Sequence, residues 1–121
     1  MYEGMEARAN DVDALLEPGI NIHRLPICGR NFRYVSEDPL LAESIAAEIC
    51  RGLKDGGITA TVKHFAANNE EQNRKKINMV ISERALREIY LKPFEPAVKS
   101  GAVDMVDRVQ YDKRRVLHGE L

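Results

Sequence analysis

The chain has 121 residues, 44% of them hydrophobic and 31% charged, with a formal net charge of −1. That length argues for one domain at most and is too short for a complete (β/α)8 barrel, which takes about 250 residues. Acids and bases are interspersed, leaving no basic stripe to track phosphates, and no apolar run nears the roughly 20 residues of a membrane span. Nucleic acid and membrane are therefore not expected partners.

The first residues, 1–10, are polar-rich and read as the tail of a helix. They lack the apolar core of a secretory signal, which tilts the expected compartment towards the cytoplasm without fixing it. Residues 12–16 read as a strand stopped by Pro18-Gly19, since proline cannot donate to a ladder and glycine tolerates positive φ. A long loop, 21–38, follows. Its Arg24, Arg30, Phe32, Arg33 and Tyr34 can both pack and hydrogen-bond, which argues for an ordered, functional loop.

Asp38 as N-cap and Pro39 in the first turn open a helix. Leu41, Ile45, Ile49 and Leu53 are its expected apolar stripe, with Ala46 and Cys50 beside it, and Gly56-Gly57 its stop. The β-branched run 58–62 reads as a buried strand. Residues 78–81 read as the end of a loop packing inward. Ser82 caps a further helix whose expected stripe is Leu86, Ile89, Tyr90, Phe94, Ala97 and Val98, with a kink at Pro93. A third strand is expected over 102–106, and a charged, aperiodic tail over 107–121. Strand, helix, strand, helix, strand, with long crossovers, is an α/β order suited to parallel pairing.

One stretch dominates the functional reading. The strand at 58–62 delivers Lys63 and His64 to its carboxyl end, where parallel α/β folds meet ligands. A cation and an imidazole there can grip hydroxyls or an anion. A small anion-binding domain is one such reading, although the chain has no glycine-rich phosphate loop. Cys28 and Cys50 form neither a Cys-x-x-Cys pair nor a metal array, and Cys50 reads as a buried free thiol. The three histidines have no metal-ligand spacing. No metal or other cofactor is expected.

Three motifs in collinear order sharpen this. Lys63-His64-Phe65 with Asn68-Asn69 and Glu71-Gln72-Asn73-Arg74 resembles the Lys-His loop of glycoside hydrolase family 3, the β-glucosidase family. Asn21-Ile22-His23-Arg24 through Gly29-Arg30-Asn31-Phe32 resembles that family's sugar-contacting loop. Ser82-Glu83-Arg84 with Pro93-Phe94-Glu95 resembles the helix that follows. The likeness runs from about residue 7 to about residue 99. It implies part of a (β/α)8 barrel, an arc of about three parallel strands with intervening helices. Such an arc has two open edges and should be marginal alone or self-associate.

The resemblance also implies roles. Arg30, Lys63 and His64 match the family's contacts to sugar hydroxyls, which makes a β-glucoside-like carbohydrate the expected partner. The alternative for Arg30 is an ion pair with Glu37 or Asp38; for Lys63 and His64 it is a solvated lysine beside a core histidine. Glu71 and Arg74, three apart, are expected to pair and shape the loop rather than act as an acid. Asn68, Asn69 and Asn73 are expected to bond nearby backbone, and His23 to brace the sugar loop. No catalytic residue is expected here, because the family's Ser-Asp-Trp nucleophile motif does not occur and the sequence has no tryptophan. The chain departs from the family's pattern at Arg33, where Glu is usual, at Glu70, where Gln is usual, and in a third strand that lacks a Tyr-Asn pair.

Overall fold

The computed structural model describes residues 1–74 and 76–109. Three strands, β1 (Ala14–Leu15), β2 (Thr59–Phe65) and β3 (Val103–Arg108), lie in that order in one sheet. Both pairings are parallel. Helix α1 (Tyr2–Ala9) packs on α2 (Pro39–Asp55), which packs against β2, and α3 (Glu83–Ala85) is a single short turn before α4 (Phe94–Lys99), which packs against β3. The architecture is therefore the expected α/β arc of three parallel strands with helical crossovers.

The first strand is shorter than its apolar content suggested. Only Ala14 and Leu15 pair, with Thr59 and Ala60. The chain then leaves the ladder and rejoins it at Gly19, opposite Lys63. Lys63 N donates to Pro18 O at 3.1 Å and Ile20 N donates to Lys63 O at 2.8 Å. Proline interrupts the pairing here without ending it, because its carbonyl still accepts. Helix α2 begins as expected, with Leu40 N donating to Asp38 Oδ1 at 2.9 Å and Pro39 in the first turn. It stops at Gly56, with Gly57 at φ +87°, a conformation glycine adopts at little cost.

The expected face of α2 holds for Ala46, Cys50 and Leu53, which are buried, and for Ile49, which packs against the core. It fails at Leu41, which is 49% exposed, and Ala42 and Ala47 join it instead. Small residues face the core because α2 sits close to its neighbours. Gly4 of α1 lies against Leu53 and Gly56, where an added Cβ would come within 2.8 Å of the Leu53 carbonyl oxygen. The core gathers Ile20, Ala46, Cys50, Leu53, Ile58, Ala60, Val62, Phe94, Ala97 and Ala102 between sheet and helices. Cys50 is a free buried thiol in it, and burial raises its pKa to about 11.

The helix expected after Ser82 is broken into pieces. Ser82 caps it through its hydroxyl, at 3.2 Å from Ala85 N, but a π-helical turn, Leu86–Tyr90, replaces its middle. Pro93 stands at the N-cap of α4, so the interruption falls where proline cannot continue the ladder. Leu86, Tyr90, Phe94 and Ala97 are buried, whereas Ile89 and Val98 face outward. The π turn rotates the inward stripe away from the two. Of the 78–81 run, Ile81 is buried and packs with Leu86 and Tyr90, while Val80 is exposed. β3 runs to Arg108, two residues past its expected end. Val109 N donates to Phe65 O at 3.0 Å, and the expected tail from 110 onward, including His118, lies outside the described residues.

Candidate functional site

The geometry that matters lies at the carboxyl end of β2. The strand does not stop at Val62; it continues through Lys63, His64 and Phe65. Lys63 and His64 are therefore strand residues rather than the start of a loop. Pairing on both sides extends the strand, Gly19 on one flank and Asp107 and Arg108 on the other. The peptide bonds Lys63–His64 and Phe65–Ala66 are cis.

Lys63 is buried, at 7% exposure. No carboxylate among the described residues forms a salt bridge with it. Burial lowers its pKa from the ordinary lysine value; Glu17 pulls the other way, and the Arg33 charge adds to the lowering. The imidazole of His64 is half-buried and its pKa is likewise lowered, first by burial and then by the positive charge of Arg30. A neutral ring suits its contact: Nδ1 lies 3.4 Å from Asn68 Nδ2, an arrangement in which Nδ1 accepts and Nε2 carries the hydrogen.

Asn68 links this imidazole to an acid. Its Nδ2 also donates to Glu71 Oε1 at 3.1 Å. The same Oε1 takes Arg30 Nε at 2.8 Å, and Oε2 takes Arg74 Nη1 at 3.2 Å. Burial pushes the Glu71 carboxyl up, but hydrogen bonds from Arg30 and Asn68 and the charges of Arg30 and Arg74 outweigh it, leaving the pKa below the usual carboxylate value. Glu71 is thus an ionised node joining three donors. Arg30 spends its Nε on this node; its terminal nitrogens donate to no other described residue. The partner weighed for Arg30 in the sequence, Glu37 or Asp38, is not the one it takes. Asp38 is engaged as the cap of α2 instead.

The sugar-loop segment is tied down at several points. His23 Nε2 and Asn31 O are 3.0 Å apart, and His23 N donates to Ser36 O at 3.0 Å. Arg24 Nη1 donates to Tyr90 Oη at 2.8 Å, anchoring the loop to the π turn. Tyr34 Oη donates to Asn68 O at 2.7 Å, and Asn69 Nδ2 donates to Ile22 O. Asn68 and Asn69 were expected to bond nearby backbone. Among the described residues, the side chain of Asn68 bonds nearby side chains, His64 and Glu71, rather than backbone, and that of Asn69 reaches a distant backbone carbonyl, Ile22 O. Asn73 sits at φ +55°, a left-handed turn position that asparagine tolerates. Arg33, in place of the family's Glu, pairs with Glu17 Oε1 at 3.0 Å and stacks on Phe32.

Asn21 and Tyr34 were placed in the sugar loop by the sequence, but their roles in this site were not. Asn21 holds both backbone groups of His64, and Tyr34 holds the Asn68 carbonyl. Neither has a spacing that could announce it, since their partners lie 43 and 34 positions away. Among the described residues no cluster of His, Cys, Asp or Glu could hold a metal ion, and no helix is long and apolar enough to cross a membrane.

Parallel βα units with charged side chains gathered at the carboxyl end of a strand define an α/β domain of the ligand-binding kind. The family behind it is resolved by comparison: residues 1–114 match the glycosyl hydrolase family 3 N terminal domain, and the chain belongs to that family. It is 60% identical over 98 residues to a beta-glucosidase of Ruminococcus albus, covering 81% of this chain and 10% of that one. The structure superposes on a beta-glucosidase from Paenibacillus barengoltzii with a TM-score of 0.87, at 56% identity over 90% of this chain and 12% of the other. Beta-glucosidase 3B from Thermotoga neapolitana, in complex with glucose, gives 0.86 at 49% identity, covering 89% of this chain and 15% of that one. The chain thus spans about a tenth to a seventh of the length of these relatives.

Proposed function

We infer that this chain carries one half of a sugar-gripping subsite of the β-glucosidase type, formed by Arg30, Lys63 and His64. The observation that carries this reading is the hydrogen-bonded line that joins His64 to Arg30, with Lys63 next to His64 in β2. The chain His64, Asn68, Glu71, Arg30 is continuous in hydrogen bonds, and it leaves the Arg30 terminal nitrogens and the Lys63 ammonium without carboxylate partners. A guanidinium fork spans vicinal hydroxyls, an ammonium donates to a third, and an Nε2–H imidazole donates to a fourth. All are neutral-substrate contacts, and glucose in a relative's structure supplies the chemical class.

Cleavage of O-glycosyl bonds belongs, on this reading, to the complete barrel. A retaining glycosidase needs a nucleophilic carboxylate and an acid/base about 5–5.5 Å apart. Glu71 is the carboxylate hydrogen-bonded into the grip, and it is ionised and neutralised by two arginines, a poor acid and a poor nucleophile. The 121-residue chain is therefore expected to bind without hydrolysing.

Two measurements test this. Amide NMR of the chain titrated with glucose or its lactone should move signals at Arg30, Lys63 and His64 and leave those of α2 in place. A chromogenic aryl β-glucoside should remain uncleaved. Turnover abolished by Glu71→Gln would overturn the assignment of that residue as a structural node. Shifts scattered over the surface would remove the subsite.

A further inference from the structure

We propose that Asn21 is a positioning residue for His64, its side-chain amide standing in for the strand neighbour that His64 lacks. This rests on the sugar-gripping reading of His64. The β2–β3 register slips between Lys63 and Phe65, which pair with Asp107 and Arg108, and His64 between them has no partner in β3. On the other flank the ladder ends with the bonds of Lys63 to Pro18 and Ile20. The next backbone groups, both belonging to His64, would be orphaned at the edge of the site. Asn21 takes both of them. His64 N donates to Asn21 Oδ1 at 2.9 Å, and Asn21 Nδ2 donates to His64 O at 2.9 Å.

The clamp is well made for this task. Asn21 is 1% exposed, so water does not compete for its amide. It follows Ile20, which is fully buried in the core and hydrogen-bonded to Lys63 O, so its backbone has little freedom. A second tie runs parallel to it one residue on, where Asn69 Nδ2 donates to Ile22 O. The imidazole then has its main chain fixed by Asn21 and its Nδ1 met by Asn68. A primary amide alone among short side chains offers one donor and one acceptor at the spacing of a peptide group.

The test uses the full chain and reads His64 in two ways. In the wild type, a long-range HNCO experiment should give a correlation from the His64 amide to the side-chain carbonyl of Asn21, and that amide should exchange slowly. In Asn21→Ala the His64 amide should exchange fast while residues 60–62 keep their protection. If His64 then holds its binding pose a tenth of the time, the glucose Kd rises about tenfold. Asn21→Asp keeps the acceptor and loses the donor; it should preserve His64 protection, give an intermediate Kd, and carry the test if the alanine variant does not fold. Ile58→Val, which trims the core beside the start of β2, should lower protection broadly and leave the Kd near wild type.

A missing correlation in the wild type, or unchanged His64 exchange and Kd in both Asn21 variants, would overturn the proposal. Failure of the wild type to bind glucose would instead defeat the sugar reading. The exchange data on His64 would still decide whether the clamp exists.

Discussion

Among single residues, the decisive quantity is which donors remain free after the internal network is satisfied. Arg30 commits its Nε to Glu71 and keeps its planar terminus for a ligand. Arg30→Lys would keep the charge and lose the fork, so glucose affinity should fall by about tenfold, close to 1.4 kcal/mol, as read by NMR titration. An unchanged affinity would mean that Arg30 serves only Glu71. The same arginine adds to burial in lowering the pKa of His64. Burial and the Arg30 charge lower the imidazole pKa, so NMR should place it below the ordinary value of about 6.5, and Arg30→Met should move it upward. Because the folded pKa is lowered, the unfolded chain protonates first as pH falls. Stability contributed by neutral His64 is therefore lost on acidification below about 6.5, until the folded pKa is passed. Glu71, also lowered, acts with the same sign at more acidic pH, where its protonation releases Arg30, Asn68 and Arg74. A denaturation midpoint flat between about pH 7 and pH 5 would contradict the His64 direction, and one flat from about pH 4.5 downward would contradict the Glu71 direction.

At the level of elements, close approach decides more than hydrophobic bulk. An added Cβ on Gly4 would sit 2.8 Å from the Leu53 carbonyl oxygen and 3.0 Å from the Gly56 Cα, both backbone atoms that cannot swing aside. Gly4→Ala should therefore push α1 off α2 and destabilise the chain by about 1–3 kcal/mol, an overpacking cost, visible as a lower urea midpoint. A wild-type midpoint would show that α1 contributes nothing to stability. The inward face of α2 was legible in part: Ala46, Cys50 and Leu53 are buried and Ile49 packs against the core, as the stripe predicts. Leu41 was not, because an exposed leucine and buried alanines at 42 and 47 follow from how the neighbours pack, which helical periodicity does not report. Boundaries carried by turn chemistry were legible: Asp38-Pro39, Gly56-Gly57, Ser82 and Pro93 all act where their side chains or rings require. The parallel order of the strands was legible from crossover length. What was not legible depends on distant partners, as with the extension of β2 through Lys63 and His64, which Gly19, Asp107 and Arg108 impose. The Arg30–Glu71 pair, 41 positions apart, is of the same kind.

For the molecule as a whole, the consequence is an arc with unfinished faces. β3 pairs with β2 alone among the described strands, and Met105 and Val106 on it are exposed. Beside it, a cavity of about 310 Å³ opens between Phe65, Leu91, Phe94 and Val98, with Phe65 edge-on to Phe94 at 5.2 Å. Parallel strands are normally covered on both faces, and a half-paired apolar edge offers its backbone groups to any strand that comes near. The chain should therefore self-associate as its concentration rises, which sedimentation velocity would show as a growing average mass. A lysine on an edge strand opposes such pairing through the charge it would bring into the new interface. Val106→Lys should then return the chain towards monomer, and the amide spectrum of α2, which lies away from this edge, serves as the control for an intact fold. If the wild type stays monomeric at every accessible concentration, the edge is not available for pairing. If Val106→Lys associates as strongly as the wild type, the contact runs through the Phe65–Phe94 cavity instead, and Val98→Lys becomes the variant that should dissolve it.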